Sequence, residues 1–234
     1  MLPEWAGCNC SVGGDRNQAY GLVDAFEEAS AVRPLLKQSI FVAIEVAYDE
    51  ASSDPGAWAT PGQFAAFLTE LLSNAALKPL AGEPRLLSNV SRVRLFSHSG
   101  GYAVLAALAE VGGVDAVLEL NLLDSLYGEI TSFDSWVQSA ITRGTFGTGE
   151  TRVRFNSLYT DTGGTEVNNR AMATRVQGWL ASANASALLH YDDTLGPLQS
   201  TDVARHPIIF KRSNHTHDDT CRVFFAQLIR DCIV

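Results

Sequence analysis

The chain has 234 residues, 46% of them apolar and 18% charged, a composition that fits a folded globular protein and excludes a disordered one. A formal net charge of −9 and the lack of a Lys/Arg cluster argue against nucleic-acid binding, since proteins that bind phosphate backbones carry basic surfaces. No apolar run reaches the ~18 residues expected of a membrane-spanning helix. The first ten residues, MLPEWAGCNC, lack the features of a signal peptide, so the default expectation is a cytoplasmic protein.

Short apolar runs alternate with segments of helical periodicity along the chain. Runs rich in β-branched and aromatic residues are typical of strands that are buried on both faces. Five such runs are predicted strands: residues 40–47, 93–97, 117–123, 153–159 and 207–211. The alternation predicts one α/β domain over residues 1–234, with a mostly parallel central sheet flanked by helices on both faces.

The segments between the predicted strands have the amphipathic spacing of helices. Predicted helices cover residues 61–75, 101–111, 165–183 and 219–233. Gly112 and Gly113 follow the second of these helices, where a glycine C-cap is expected. Residues 129–150 are a candidate for a small helical cap over the site described next.

The sequence Ser97-His98-Ser99-Gly100-Gly101 lies where the second predicted strand passes into the second predicted helix. Small residues on either side of Ser99 let the chain turn tightly and expose its hydroxyl, as in the G-x-S-x-G nucleophile elbow. Serine replaces the first glycine of that motif here. Ser97 is the competing nucleophile, but no glycine pair follows it at the required offset. The alternative for Ser99 is an N-cap serine in an ordinary βα loop.

The order of strand, S-H-S-G-G, helix, strand ending in Asp and late His resembles the α/β-hydrolase superfamily. This resemblance covers nearly the whole chain from about Ile40. The segments SHSGGY and LLDSLYG also resemble a group of bacterial members of that superfamily. The resemblance implies a serine hydrolase whose triad follows the chain order Ser, acid, His.

Two histidines stand where the superfamily keeps its general base, in the loop KRSNHTHDDT after the last predicted strand. A serine hydroxyl needs such a base to accept its proton. His217 is favoured over His215, because the chain from His217 onward better matches the way such a loop enters the last helix. His206 precedes the last predicted strand and therefore lies at the wrong end of the sheet.

Two aspartates follow predicted strands at the edge where the base is expected. Asp124 ends LELNLLD, and Leu123-Asp124-Ser125 resembles the acid position of pancreatic-type lipases. Asp161 ends FNSLYTD on the later strand, which the superfamily uses more often. A carboxylate that ends an apolar strand needs a partner, whereas Asp161, before Thr-Gly-Gly, also suits an ordinary turn. Asp124 is favoured as the acid, and Asp161 is the alternative.

The oxyanion that forms during acyl transfer needs two N–H donors. The resemblance implies the backbone amide of Gly100 as one of them. The second normally comes from a loop after an earlier strand, and Trp5, in LPEWAGC, belongs to the only glycine-containing segment early enough to supply it. Almost no strand precedes Trp5, so either the first strands of the fold are missing from this chain or the second donor lies elsewhere.

Four side chains near the predicted strand ends are expected to contact a substrate: Tyr48, His98, Tyr102 and Tyr127. Together these residues predict an enzyme that cleaves a carboxylic ester of a small or medium-sized molecule through an acyl-enzyme on Ser99. Amide or thioester cleavage by the same triad is one alternative. A catalytically impaired binding protein on the same fold is another, because no segment clearly supplies the second oxyanion donor.

The segment His215-x-His217-x-Asp219 also reproduces the H-x-H-x-D core of metallo-β-lactamase-like zinc sites. No histidine follows in the last 17 residues to complete the ligand shell. The cysteines stand as one C-x-C pair and two isolated residues, without the C-x-x-C spacing of zinc or redox sites. The sequence therefore predicts neither a metal nor a cofactor, and a small-molecule ester as the only partner.

Overall fold

A five-stranded parallel sheet is the centre of the fold. The computed structural model describes residues 21–33, 36, 39–43, 54–74, 86–149, 151–161 and 164–231. Its strands are β1 (Val93–His98), β2 (Val117–Leu123), β3 (Arg154–Tyr159), β4 (Leu189–Asp192) and β5 (Ile208–Arg212), in the spatial order β1-β2-β3-β5-β4. All neighbouring pairs are parallel, which confirms the predicted fold class.

Helices connect the strands and flank the sheet, as parallel connections require. They are α1 (Leu22–Val32), α2 (Gln63–Ser73), α3 (Tyr102–Val111), α4 (Ile130–Thr142), α5 (Glu166–Ser182), α6 (Ser200–Arg205) and α7 (His217–Asp231). Gly113 follows α3 with a φ of 68°, the left-handed conformation expected of a glycine at this position. Among the described residues, none of the helices has the length and apolar character needed to cross a membrane.

The hydrophobic core fills both sides of the sheet. On β5, Ile208 and Phe210 pack with α3, α4 and α5, while Ile209 packs with α1, α6 and α7. Successive side chains of a strand point to opposite faces, so a strand covered on both sides needs apolar residues at nearly every position. This requirement is why apolar residues recur along the central strands, with buried polar side chains such as Glu119, Asn121 and Asn156 between them.

The predicted strand over residues 40–47 is wrong where the chain is described, because residues 40–43 form no strand. Phe41 instead stacks on Phe26 of α1 and meets Phe225 of α7, with 5.5 Å between ring centroids in each pair. This part of the apolar run packs against helices. Residues 44–47 lie outside the described residues.

The sequence patterns do not predict β4, a four-residue strand at the edge of the sheet beyond β5. Leu189 and Tyr191 pack against the main core, whereas His190 and Asp192 alternate with them on the other face. A run this short carries too few residues for its period to be informative.

Residues 130–142 form α4, which packs on the sheet as part of a helical layer. Phe133, Val137 and Ala140 are fully buried between α3, α5 and the sheet. The apolar spacing that predicts a helix here thus buries that helix in the core. The sequence predicts a small cap over residues 129–150, whereas α4 packs in a helical layer of the core.

Glu119, near the amino end of β2, is fully buried among arginines. It accepts hydrogen bonds from Arg92 Nη2 at 2.7 Å and from Arg94 Nε and Nη2 at 3.0 and 2.8 Å. Burial raises the pKa of Glu119, but the charges of Arg94, Arg92 and Arg154 outweigh burial and lower it to about 2. The folded protein therefore holds this carboxylate charged at acidic pH values where the unfolded chain protonates it.

We expect Glu119→Gln to lower the free energy of unfolding at pH 7 by about 3 kcal/mol, because the substitution removes the countercharge of Arg92 and Arg94. The native pKa of Glu119 lies below its value in the unfolded chain, so its stabilisation is full above about pH 5 and is lost as the pH falls towards 2. The difference between the variant and the wild type should therefore shrink on acidification. Urea unfolding at a series of pH values measures it.

Glu70→Gln, at an exposed position on α2, is the matched control and should change stability by less than about 0.5 kcal/mol. A Glu119→Gln difference that stays constant from pH 7 to pH 3 would contradict the role assigned to this carboxylate.

Candidate active site

The loops that follow the strands meet at the carboxyl edge of the sheet, because parallel strands all end there. In the register of β1 and β2, His98 lies beside Leu123. Ser99 and Asp124 are therefore the first residues beyond paired positions on neighbouring strands. His217 reaches the same edge as the first residue of α7, after β5. Residues that are distant in the chain become neighbours at this edge.

Ser99 occupies a tight turn with a positive φ of 52°, a conformation that residues other than glycine adopt at an energetic cost. It begins a single 3₁₀ turn, Ser99–Gly101, that leads directly into α3. A Cβ added at Gly101 would lie 3.4 Å from the Cβ of Ser97. The two small residues that flank Ser99 thus face each other across the turn, which is the steric arrangement of a nucleophile elbow.

Asp124 is fully buried and has a positive φ of 47°. Its backbone N–H donates to the carbonyl oxygen of Leu158 at 2.6 Å, which continues the pairing of β2 with β3. Its carboxylate accepts hydrogen bonds from the Thr160 hydroxyl at 2.6 Å, the Thr160 amide at 3.1 Å and the Thr165 hydroxyl. A carboxylate without access to water needs such donors to replace its hydration.

The imidazole of His217 is a further partner of this carboxylate. Its Nδ1 lies 2.8 Å from Oδ2 of Asp124. When Nδ1 carries the proton that is donated to Asp124, Nε2 carries the lone pair that accepts a proton. The side chain of His217 is 29% exposed, so the ring is accessible from outside while its partner is not.

The alternative acid and base have other partners. Asp161 forms an ion pair with Arg212 at 3.2 Å, and its side chain is 42% exposed, which suits a turn aspartate. His215 packs edge-on against Phe224 with 5.6 Å between ring centroids. The carboxylate–imidazole contact is thus made by the favoured acid and base.

Contacts on either side of Ser99 connect it to both partners. The Ser125 hydroxyl donates to the carbonyl oxygen of Ser99 at 2.8 Å. The residue after Asp124 therefore holds the turn Ser99–Gly101, here called the serine turn. His98 Nε2 lies 3.0 Å from the carbonyl oxygen of His217, and the two ring centroids are 4.5 Å apart. His98, predicted to contact a substrate, is only 5% exposed and instead connects the serine turn to α7.

The charges in the site follow from its burial and hydrogen bonds. Burial raises the pKa of Asp124, but the hydrogen bonds from His217, Thr160 and Thr165 outweigh burial and hold it below its ordinary value. Asp124 is therefore ionised at neutral pH and stabilises a positive charge on His217. Burial and the Asp124 charge raise the pKa of Tyr127 to about 12, so its hydroxyl stays neutral.

Two tyrosines lie beside the histidine. The ring of Tyr127 meets that of His217 edge-on at 6.3 Å, and Tyr102 lies 6.1 Å from Tyr127. Asn168 holds the Tyr127 loop by donating to the carbonyl oxygens of Leu126 and Tyr127 at 2.9 and 3.1 Å. These rings form an aromatic surface next to the candidate base.

Gly100 follows Ser99 at the start of the turn into α3. The N-terminal end of a helix favours negative charge, because its first N–H groups and its dipole point outward. The backbone amide of Gly100 thus lies at the end of α3 where the helix dipole favours negative charge. Trp5 and Tyr48, the predicted second donor and a predicted substrate contact, lie outside the described residues.

One group of side chains at the site has the ligand types of a metal centre. Atoms of His98, His217 and Asp218 lie within 4.8 Å of one another. The H-x-H-x-D pattern, from which the sequence predicts no metal site, combines other residues, and its Asp219 forms an ion pair with Arg222 at 3.2 Å. Any ion bound by this group would use His217, which is also the partner of Asp124.

Sequence interpretation does not identify Thr160, Thr165 or Ser125, which hold the acid and the serine turn. Thr160 directly follows an apolar strand at the same edge, and this is the one signal that points to it. Thr165 precedes α5 and resembles an ordinary helix-capping residue. Their common role depends on the sheet order, which sequence patterns do not reveal.

Comparisons of this chain with protein-family models, with curated proteins and with solved structures found no match. The structure shows an α/β fold with a parallel sheet flanked by helices, which is compatible with the α/β-hydrolase fold.

The positive φ of Ser99 yields a stability prediction. Ser99→Gly should unfold with a free energy about 1 kcal/mol higher than that of Ser99→Ala, because both variants lose the hydroxyl and only glycine relieves the backbone strain. Chemical denaturation of the two purified variants measures the difference.

Ser97 is the matched control, since it lies in β1 where glycine is less favourable than alanine by roughly 0.5–1 kcal/mol. The glycine–alanine difference should therefore have the opposite sign at position 97. A Ser99→Gly variant that is less stable than Ser99→Ala would contradict a strained turn at Ser99.

Proposed function

We propose that this chain is a serine hydrolase of the α/β-hydrolase type that cleaves carboxylic esters of small or medium-sized molecules. The observation that carries the proposal is the 2.8 Å contact between Nδ1 of His217 and the buried carboxylate of Asp124. Ser99 has the strained conformation expected of a nucleophile elbow, and it follows His98, whose ring centroid lies 4.5 Å from that of His217.

In the acylation step, Ser99 Oγ attacks the ester carbonyl carbon while His217 Nε2 takes the hydroxyl proton. The tetrahedral intermediate then collapses, the C–O bond to the alcohol breaks, and His217 gives its proton to the leaving alcohol. The acyl group stays on Ser99. A water molecule that His217 deprotonates releases the acid in the second step, and the proton returns to Ser99.

Asp124 acts through His217. It holds the tautomer with the proton on Nδ1 and stabilises the imidazolium that forms twice in each cycle. Thr160 and Thr165 keep this carboxylate ionised, because their hydrogen bonds stabilise the charged form. Without these donors, a fully buried carboxyl group would be driven towards its neutral form, which is a poorer partner for an imidazolium.

The backbone amide of Gly100 is the proposed first oxyanion donor, and the N-terminal end of α3 adds a favourable field. Trp5 is the predicted source of the second donor. Each such donor contributes on the order of 10²-fold or more to the rate of acyl transfer.

The substrate class follows from the surroundings of His217. Tyr102 and Tyr127 offer an aromatic surface to an acyl or aryl group. The side chain of His217 is 29% exposed and can therefore be reached from solvent, which suits esters of small and medium size. The same residues would also act on a thioester or an activated amide, which differ in the leaving group.

The proposal predicts hydrolysis of p-nitrophenyl esters with a triad-dependent rate. Ser99→Ala and His217→Gln should abolish turnover, and Asp124→Asn should lower kcat by about 10³–10⁴-fold, because it loses both the charge and the correct tautomer. Rates for acyl chains of graded length measure the depth of the acyl pocket in the same experiment.

The chain offers two matched controls. Asp161→Asn and His215→Gln change the alternative acid and base, and each should keep kcat within about twofold of the wild type. Loss of activity with Asp161→Asn and not with Asp124→Asn would overturn the assignment of the acid. Absence of turnover in the wild type on esters, thioesters and activated amides alike would favour a binding protein instead.

A further inference from the structure

A second cluster of ionisable side chains lies at the other edge of the sheet. His190 belongs to the edge strand β4, Asp202 lies in α6, and His206 directly follows α6. One ligand atom from each of the three residues lies within 4.8 Å of the others. We call these three residues the His190 cluster; all three are partly buried.

The spacing of the His190 cluster suits an ion between the side chains better than direct hydrogen bonds. His190 Nδ1 lies 3.8 Å from Asp202 Oδ1, which is too long for a hydrogen bond. Ligand atoms about 2.0–2.1 Å from a tetrahedral zinc ion are separated by about 3.4 Å. A small side-chain rotation therefore brings this pair to ligand distance.

The second histidine is oriented by the backbone. His206 Nδ1 lies 3.3 Å from the carbonyl oxygen of Ala187, and the rings of His190 and His206 are 5.5 Å apart. A proton on Nδ1 that points to a carbonyl oxygen leaves the lone pair on Nε2 for a metal, which is the usual outer-sphere arrangement of metal-bound histidines. Asp202 lies in the first turn of α6 and His206 is its C-cap, and their i, i+4 spacing places them on the same side of this short helix.

The charges around the cluster are compatible with a bound cation. The nearest lysine, Lys211, donates to Asp192 Oδ2 at 2.8 Å and to the carbonyl oxygen of Thr194 at 2.6 Å, so its charge is already paired.

Arg154 contacts the backbone at the end of α6, next to the cluster. Its Nη2 donates to the backbone carbonyl oxygens of Val203 and His206, at 2.5 and 3.0 Å. It therefore holds the end of α6 through the main chain and leaves the imidazole and carboxylate of the cluster for an ion.

We propose that His190, Asp202 and His206 bind a divalent cation of the zinc class, with water in the remaining coordination position. Two imidazoles and one carboxylate select zinc, cobalt, nickel or copper over magnesium or calcium. The site ties the edge strand β4 to α6 and so stabilises the sheet at an edge that would otherwise be open. Three strand spacings, about 14 Å, separate β4 from β2, the strand that Asp124 follows, so we assign the site a structural role that does not depend on the proposed ester hydrolysis.

Cobalt(II) tests the ligand set directly, because the intensity of its visible absorption reports four-coordinate binding. Tag-free protein, first treated with a chelator, should bind one equivalent of cobalt with a visible band that zinc displaces. Saturating zinc should also raise the melting temperature by on the order of 5 °C, because the ion binds only the folded chain. His190→Gln, Asp202→Asn and His206→Gln should each weaken binding by at least tenfold.

The competing group at the candidate active site supplies the control. His217→Gln removes a ligand of the group formed by His98, His217 and Asp218 and should leave the cobalt band unchanged, as should His215→Gln. A band that is lost in His217→Gln and kept in His206→Gln would assign the metal to the other group and overturn the proposal. Wild-type protein with neither a band nor a shifted melting temperature would overturn it as well, provided that circular dichroism shows a folded chain.

Discussion

The buried carboxylate of Asp124 is the constraint on which the organisation of the site depends. A charge at the end of an apolar strand costs several kcal/mol unless donors replace its hydration. Here the donors come from Thr160 after β3, Thr165 before α5 and His217 at the start of α7. To satisfy one carboxylate, three separate segments must converge on the end of β2. The same convergence places the imidazole of His217 beside the serine turn. The Asp124–His217 contact therefore contributes both to the stability of this edge of the sheet and to the proposed chemistry.

Different regions of the sheet carry their charges in different ways. Near the amino end of β2, Glu119 is enclosed by arginines and its ion pairs serve packing. At the carboxyl end of the same strand, the partner of Asp124 is a histidine that can change its charge near neutral pH. At the far edge, the His190 cluster has two imidazoles and one carboxylate at distances that suit an ion. Glu119 and Asp124 lie at opposite ends of β2 and the His190 cluster lies at the far edge of the sheet, so each group has its own side-chain partners.

The sequence predicts four of the seven described helices, α2, α3, α5 and α7, and the strands β1, β2, β3 and β5, because these segments have a clear helical period or a run of core-forming apolar residues. α1 and α6 are not predicted, and α4 is predicted only as a cap. Ser99, Asp124 and His217 are found from local signals: small residues around a serine, a carboxylate that ends an apolar strand, and a histidine after the last strand. β4 is not predicted, because four residues with one polar face carry little periodic signal. The apolar run that begins at Ile40 predicts a strand that residues 40–43 do not form, because Phe41 packs between α1 and α7. Thr165 is not predicted either, because its role depends on a hydrogen bond to Asp124, which lies 41 positions away in the chain.

The central claim is that the Asp124–His217 pair activates the hydroxyl of Ser99. A fluorophosphonate tests it most directly, because the reagent reacts with an activated serine and leaves a stable covalent adduct. The account predicts one adduct per chain by intact-protein mass spectrometry, located on Ser99 by peptide mapping and formed far more slowly in Asp124→Asn. A folded wild-type protein that stays unmodified, or an adduct that maps to another residue, would contradict the account.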